Sequence, residues 1–200
     1  MAEIIVVLGP PGSGKSTQSD SFTRDGIEGR HVFHVSAGKR IRDIRSGLTE
    51  SSFSDIIRDP NTPSPTTDAV LRGVVFEQIA NAEADDLVLI DGFPRHEHAI
   101  DAFLDDARRY GHKLLGLVNL EASLEVSIER ILARGDRSGE KVIGSNLEEF
   151  AVHRYEEYLE KSKAIIDTFN SRVPIEQIDA NGQPEAVTQA FCRAVHGLLL

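Results

Sequence analysis

Residues 4–17 read Ile4-Ile5-Val6-Val7-Leu8-Gly9-Pro10-Pro11-Gly12-Ser13-Gly14-Lys15-Ser16-Thr17. The first five are apolar and mostly β-branched, as expected of a strand buried on both faces of a parallel sheet. The run passes straight into Gly9–Ser16, which fits G-x-x-x-x-G-K-[ST] at every fixed position. Gly9, Gly12 and Gly14 let the backbone curl until successive N–H groups face inward as a nest for phosphate oxygens. Lys15 supplies a point charge for the β- and γ-phosphates, and the Ser16 hydroxyl stands where Mg²⁺ is ligated. A helix opening here turns its positive end toward the same anions. The plain alternative is a glycine-rich strand-to-helix turn that binds nothing; the buried strand directly before the loop argues against it. The stretch is expected to bind a nucleoside triphosphate.

The rest of the composition is consistent with one compact domain. Two hundred residues, 40% hydrophobic, suffice for a single α/β core with small inserted lobes. A net charge of −10 argues against a long nucleic acid as partner. Cys192 is the only cysteine, so neither an intrachain disulfide nor a cysteine zinc site can form, as suits a reducing cytosol. Glu3 replaces the basic region of a signal peptide, and the first apolar run is too short to span a membrane. The expectation is a cytoplasmic monomer with small-molecule partners, no nucleic acid polymer and no membrane.

Strand and helix signals alternate along the chain. Helices are expected over Lys15 to Arg24, ended by Asp25-Gly26, and from an N-cap at Ser36 through Ala37 and Arg42 to Arg45, with a strand at His31 to Val35 between them. The basic run Lys39–Arg45 is read either as a solvated helical face or as a local phosphate cluster. A short helix over Ser51 to Arg58 precedes three prolines, Pro60, Pro63 and Pro65, which prohibit a continuous helix or central strand and leave a stiff hinge or a surface loop. A periodic helix then runs from about Asp68 to Ala82.

Leu87-Val88-Leu89-Ile90 is the next fully apolar strand, followed by Asp91-Gly92-Phe93-Pro94-Arg95. A carboxylate at the end of a buried parallel strand sits where such sheets bind ligands, so Asp91 is a candidate Mg²⁺-organising acid. Its alternative reading is a turn or cap aspartate. Arg95 is suited to bidentate contact with an anionic acceptor. Further helices are expected at 97–109, Leu124 to Arg134 and Leu147 to Asn170. Further strands are expected at Lys113 to Leu120 and Pro174 to Ile178, with a terminal helix from Pro184. Arg130 and Arg134 share one helical face, and Gly135 to Ser145 is the natural lid. This alternation predicts a five-stranded, doubly wound parallel sheet.

The set GPPGSGKST, HVSAGKRIR, DGFPR, RILARG and IEQIDA, in this order, resembles the adenylate kinase and UMP/CMP kinase family of nucleoside monophosphate kinases. The resemblance implies strand order 2-3-1-4-5, an acceptor-binding lobe over about 36–65 and a short lid over about 135–145 within a single kinase domain spanning 1–200. It implies ATP and Mg²⁺ as cofactors. It places the ATP phosphates on Gly12, Ser13, Gly14, Lys15, Ser16 and Thr17, the donor adenine on Arg130, and the transferring phosphates on Arg134. The acceptor side would comprise Ser36, Ala37, Arg42, Gly92, Arg95 and Ala99, and Arg154 would be the arginine following the lid. Lys15, Asp91, Arg95, Arg134 and Arg154 form the implied catalytic set, and Ser16 and Asp91 the metal set.

The chain also departs from that family. A lid arginine followed by two acids is usual, whereas this stretch reads Glu140-Lys141-Val142-Ile143-Gly144-Ser145-Asn146. Lys141 can replace the charge of an arginine but not its fork. Ala99 stands where the family reads the acceptor base with an amide. Ala37 replaces a small hydroxyl residue, and Lys39 an acid. The leading expectation is transfer of the ATP γ-phosphate to a nucleoside monophosphate. The alternatives are a specialised kinase for an unusual nucleotide or other phosphorylated metabolite, and a weakly catalytic nucleotide-binding regulator.

Overall fold

The computed structural model describes residues 2–61, 67–134 (the backbone only at Arg134) and 147–200. Its centre is β1, Glu3–Leu8, paired in parallel with β3, Leu87–Asp91, on one side and β4, Lys113–Glu121, on the other. The sheet is completed by β2, Val32–Ser36, beside β3 and β5, Ile175–Asp179, beside β4. All pairings are parallel, as the strand–helix alternation predicts, and the order is β2-β3-β1-β4-β5, as the family resemblance implies.

Alternation along the central strand feeds two cores. Ile4, Val6 and Leu8 point into one apolar cluster, Ile5 and Val7 into the other. The first cluster is covered by α2, Ala37–Arg45, α4, Asp68–Ile79, α5, Ile100–Arg109, and α7, Leu147–Asn170, through Ile44, Val74, Phe103 and Phe169. The second lies under α1, Lys15–Asp25, and α8, Pro184–Leu199, where Phe22 and Phe191 stack at 5.5 Å. Each such side chain, fully buried, contributes about 1.5–3 kcal/mol. Two helices complete the description: α3, Ser54–Arg58, and α6, Leu124–Arg134. Among the described residues no helix is long and apolar enough to cross a membrane.

Three helix boundaries differ from the sequence reading by about three residues, each for a local reason. The short helix begins at Ser54 rather than Ser51, because Ser51 and Ser52 turn their hydroxyls onto the Glu77 carboxylate. That carboxylate also accepts the Ser52 N–H, so both serines are held outside helical geometry. The following helix stops at Ile79, where Asn81 folds back to donate its amide to the Glu77 carbonyl. Residues 97–99 form a 3₁₀ turn, and the α-helix starts only at Ile100.

Candidate active site

The loop between β1 and α1 is held in a shape that demands glycine at two positions. Gly12 has φ +84°, and a Cβ there would meet the Ser127 carbonyl oxygen of α6 at 2.6 Å. At Gly9, φ +149°, a Cβ would lie 2.7 Å from the Leu120 carbonyl oxygen of β4. The loop is thus wedged between the end of the sheet and α6. Ser13 is fully buried and its N–H donates to the Pro10 carbonyl at 3.1 Å. The Lys15 ammonium curls over the loop and donates to the carbonyls of Gly9, at 2.6 Å, and Pro10, at 2.8 Å. Gly14 caps α1 in a left-handed conformation, and the first turn of that helix carries no acid to oppose an anion. Ser16 and Thr17 are exposed on it.

β3 delivers Asp91 to the same place. The strand is buried along its whole length, and Asp91 is 5% exposed. The Ser16 hydroxyl donates to Asp91 Oδ2 at 2.5 Å. A hydroxyl and a buried carboxylate are hard oxygen donors, the kind Mg²⁺ takes, and they stand at the mouth of a phosphate loop. The donor set therefore fits the ion expected there.

The acceptor-side candidates gather at the start of α2. Ser36 is in register with Asp91 across β2 and β3 and precedes the helix in extended geometry. Gly92, φ +80°, lies against Gly38: a Cβ on Gly92 would be 3.7 Å from the Gly38 nitrogen. A Cβ on Gly38 would in turn meet Arg42 Nη1 at 3.3 Å and Arg95 Nη2 at 3.8 Å. The two guanidinium groups therefore converge over the first turn of the helix, and Arg95 Nε donates to the Gly92 carbonyl at 3.1 Å. Two arginine forks at a helix N-terminus are an arrangement able to hold an anion. The basic run splits accordingly: Lys39 pairs with Asp43 at 2.6 Å, and Arg40 donates to the Glu50 carbonyl. Ala37 and Ala99 are both buried in the apolar cluster beneath.

On the donor side, Arg130 of α6 reaches back to the loop. Its Nη1 lies 3.5 Å from the Gly12 carbonyl oxygen and its Nη2 donates to Gly182 at 3.0 Å. Arg134 is one turn further along the same helix. Arg154 of α7 lies over the Phe150 ring at 5.7 Å and within 3.9 Å of Glu157. Lys161 beside Glu157 holds that carboxyl below its ordinary range. The lid over 135–145, with Lys141, Ser145 and Asn146, and the end of the lobe over 62–65 lie outside the described residues.

The structure adds residues that the sequence reading did not single out. His34 stands between two acids: Nδ1 is 2.7 Å from Asp20 Oδ1, and Nε2 is 3.9 Å from Asp91 Oδ2. Its side chain is 6% exposed. The available signal was its place two residues before Ser36, on the same face of β2. On α7, Tyr155 donates to the Ala122 carbonyl and Tyr158 to Asn119 Oδ1 at 3.2 Å, fastening the arginine-bearing helix to the end of β4. Burial pushes the Tyr158 hydroxyl up to about 12.

The family model described as adenylate kinase matches residues 7–173. The chain is 28% identical to the adenylate kinase of Micrococcus luteus over 197 residues, covering 97% of this chain and 91% of that protein. It is 27% identical to the adenylate kinase of Rhodopirellula baltica over 192 residues, covering 96% and 94%. With the adenylate kinase of Parasynechococcus marenigrum it shares 28% identity over 200 residues, covering 98% and 100%.

Proposed function

The chain belongs to the adenylate kinase family, ATP-using phosphotransferases of the nucleoside monophosphate kinase type, and we propose that it moves the γ-phosphate of ATP, with Mg²⁺, to the phosphate of a nucleoside monophosphate. The observation that carries this reading is the convergence of Arg42 and Arg95 over Gly38, next to the Ser16–Asp91 pair across β3. One anion site faces a phosphate loop, which suits two phosphorylated ligands meeting head to head.

Residues 9–16 hold the ATP phosphates with loop N–H groups and the Lys15 ammonium. Ser16 and Asp91 hold the metal, which when bound neutralises charge on the β- and γ-phosphates. Arg42 and Arg95 grip the acceptor phosphate and aim one of its oxygens at the γ-phosphorus. That oxygen forms the new P–O bond as the bond to the β–γ bridging oxygen breaks; the electron pair stays on the bridging oxygen, and ADP leaves. No proton transfer is required. The arginines of α6 and α7, Arg130, Arg134 and Arg154, attend the donor and the transferring group. The contribution of the protein is alignment and charge compensation, the main needs of phosphoryl transfer.

The buried, non-polar Ala99 and Ala37 favour a second reading, in which the acceptor is an unusual nucleotide or another phosphorylated metabolite. The reading further takes the chain as a cytoplasmic monomer; light scattering on the purified protein checks its oligomeric state. Coupled ADP production with Mg-ATP across a panel of ribo- and deoxynucleoside monophosphates tests the function. Multiple turnovers with a common monophosphate support the first reading. ATP binding without turnover on any of them overturns it and leaves the second reading or a regulator.

A further inference from the structure

Beyond the kinase chemistry, we propose that Asp68, His96 and His98 form a binding site for a borderline transition-metal ion of the zinc class. These residues offer one ligand atom each, and the three atoms all lie within 4.8 Å of one another. His96 Nδ1 is 2.8 Å and His98 Nε2 is 3.0 Å from the same oxygen, Asp68 Oδ2. A tetrahedral ion bound at roughly 2.0–2.2 Å needs its donors about 3.3–3.5 Å apart. The two nitrogen–oxygen spacings reach it by opening a few tenths of an ångström, and the two imidazole nitrogens, at most 4.8 Å apart, set the third edge as the 77% exposed His98 side chain turns.

Two further features point to a cation rather than a simple helix cap. Asp68 stands in the first turn of α4, where one carboxylate already complements the helix end; two imidazoles converging on one of its oxygens exceed that need. Its second oxygen, Oδ1, is buried with no hydrogen-bond partner among the described residues. A buried carboxylate oxygen left without a partner is costly, and a cation shared with Oδ2 would satisfy it. The two rings are already nearly parallel, with centroids 5.3 Å apart and planes at 8°. Neutral imidazoles need only carry their protons on the nitrogens remote from the ion. Two nitrogen donors and one carboxylate select zinc, cobalt, nickel or copper over Mg²⁺, which takes oxygen ligands.

The site is separate from the Ser16–Asp91 pair, and it ties the segment directly after Arg95 to the start of α4. Its existence does not depend on the kinase reading. The test uses the tag-free full chain, stripped with chelator and titrated with Co²⁺, whose d–d absorption reports tetrahedral nitrogen–oxygen ligation. The expected result is a visible band saturating at one equivalent and displaced by one equivalent of Zn²⁺. H98A and H96A should each weaken binding by about tenfold or more, while H31A, at the opposite end of the strands, leaves it unchanged. Because His98 is exposed, H98A decides the matter even if H96A fails to fold. Absence of a stoichiometric band, or a band that H98A leaves intact, overturns the proposal.

Discussion

Ser16 and Asp91, 75 residues apart in the chain, are joined by a 2.5 Å hydrogen bond from the hydroxyl to Oδ2. The bond links the first turn of the helix behind the phosphate loop to the end of the strand beside it. It brings together the one hydroxyl and the one buried carboxylate that we assign to Mg²⁺. Asp91→Asn keeps the shape of this contact and removes its charge. We expect it to raise the Mg²⁺ concentration needed for half-maximal ADP production by about tenfold to a hundredfold. An unchanged Mg²⁺ dependence would remove Asp91 from the metal set.

The roles we propose for Arg42 and Arg95 lie on the acceptor side of the reaction only. Replacing either by alanine deletes a charge-assisted contact to the acceptor phosphate, and the acceptor KM should rise by about tenfold to a hundredfold. ATP affinity, followed by fluorescence of a labelled nucleotide, should stay within about twofold. Equal losses for both ligands would mean that the division into donor and acceptor sides is wrong.

Gly116 lies where β4 passes under α8, one residue beyond the irregularity in its pairing with β1. A Cβ there would meet Leu198 Cδ2 at 2.6 Å and the Pro174 carbonyl oxygen at 2.7 Å. Leu198 can rotate, but the carbonyl is fixed by its bond from the Leu117 N–H at 3.0 Å. Gly116→Ala should therefore destabilise the fold by about 1–3 kcal/mol. A urea midpoint equal to that of the wild type would show that the backbone yields.

The fold should weaken in alkali through Tyr158. Burial is the main cause that raises this phenol to about 12 in the folded chain, while it ionises near 10 when unfolded. Below pH 10 both forms are protonated and the stability is intact. Between about pH 10 and 12 only the unfolded chain releases the proton, so stability falls as pH rises, by about 2–3 kcal/mol in all. Ultraviolet titration of tyrosinate should show one of the three tyrosines ionising late. Tyr158→Phe should delete that step and leave Asn119 Oδ1 short of a donor. A single transition for all three tyrosines would contradict the assignment.

What the sequence made legible follows from the range of each signal. Unbroken apolar runs at Ile4–Leu8 and Leu87–Ile90, with the loop motif between Gly9 and Ser16, were enough for the sheet and the shape of the loop, because strand burial and glycine demand are local properties. Contacts between distant segments were not legible in this way. Asp20 and His34 lie on different elements, and nothing near either announces that the histidine will stand beside Asp91. The same holds for Asp68 with His96 and His98, and for Tyr158 with Asn119. Helix ends were misplaced where a side chain captured the backbone, as Glu77 does with Ser52.

The central strand precedes both of its neighbours by a long stretch of chain: Glu3 is in register with Leu87 and with Lys113. The backbone that a Cβ on Gly9 or Gly12 would strike arrives later still, at Leu120 and Ser127. A nascent chain emerging from the ribosome thus carries its nucleotide motif through more than a hundred further residues before Leu120 and Ser127 can brace it. Nucleotide cannot act as a template for folding until α6 has cleared the exit tunnel. Until then Ile4–Leu8 is an exposed hydrophobic strand, and it is the segment a chaperone would need to shield.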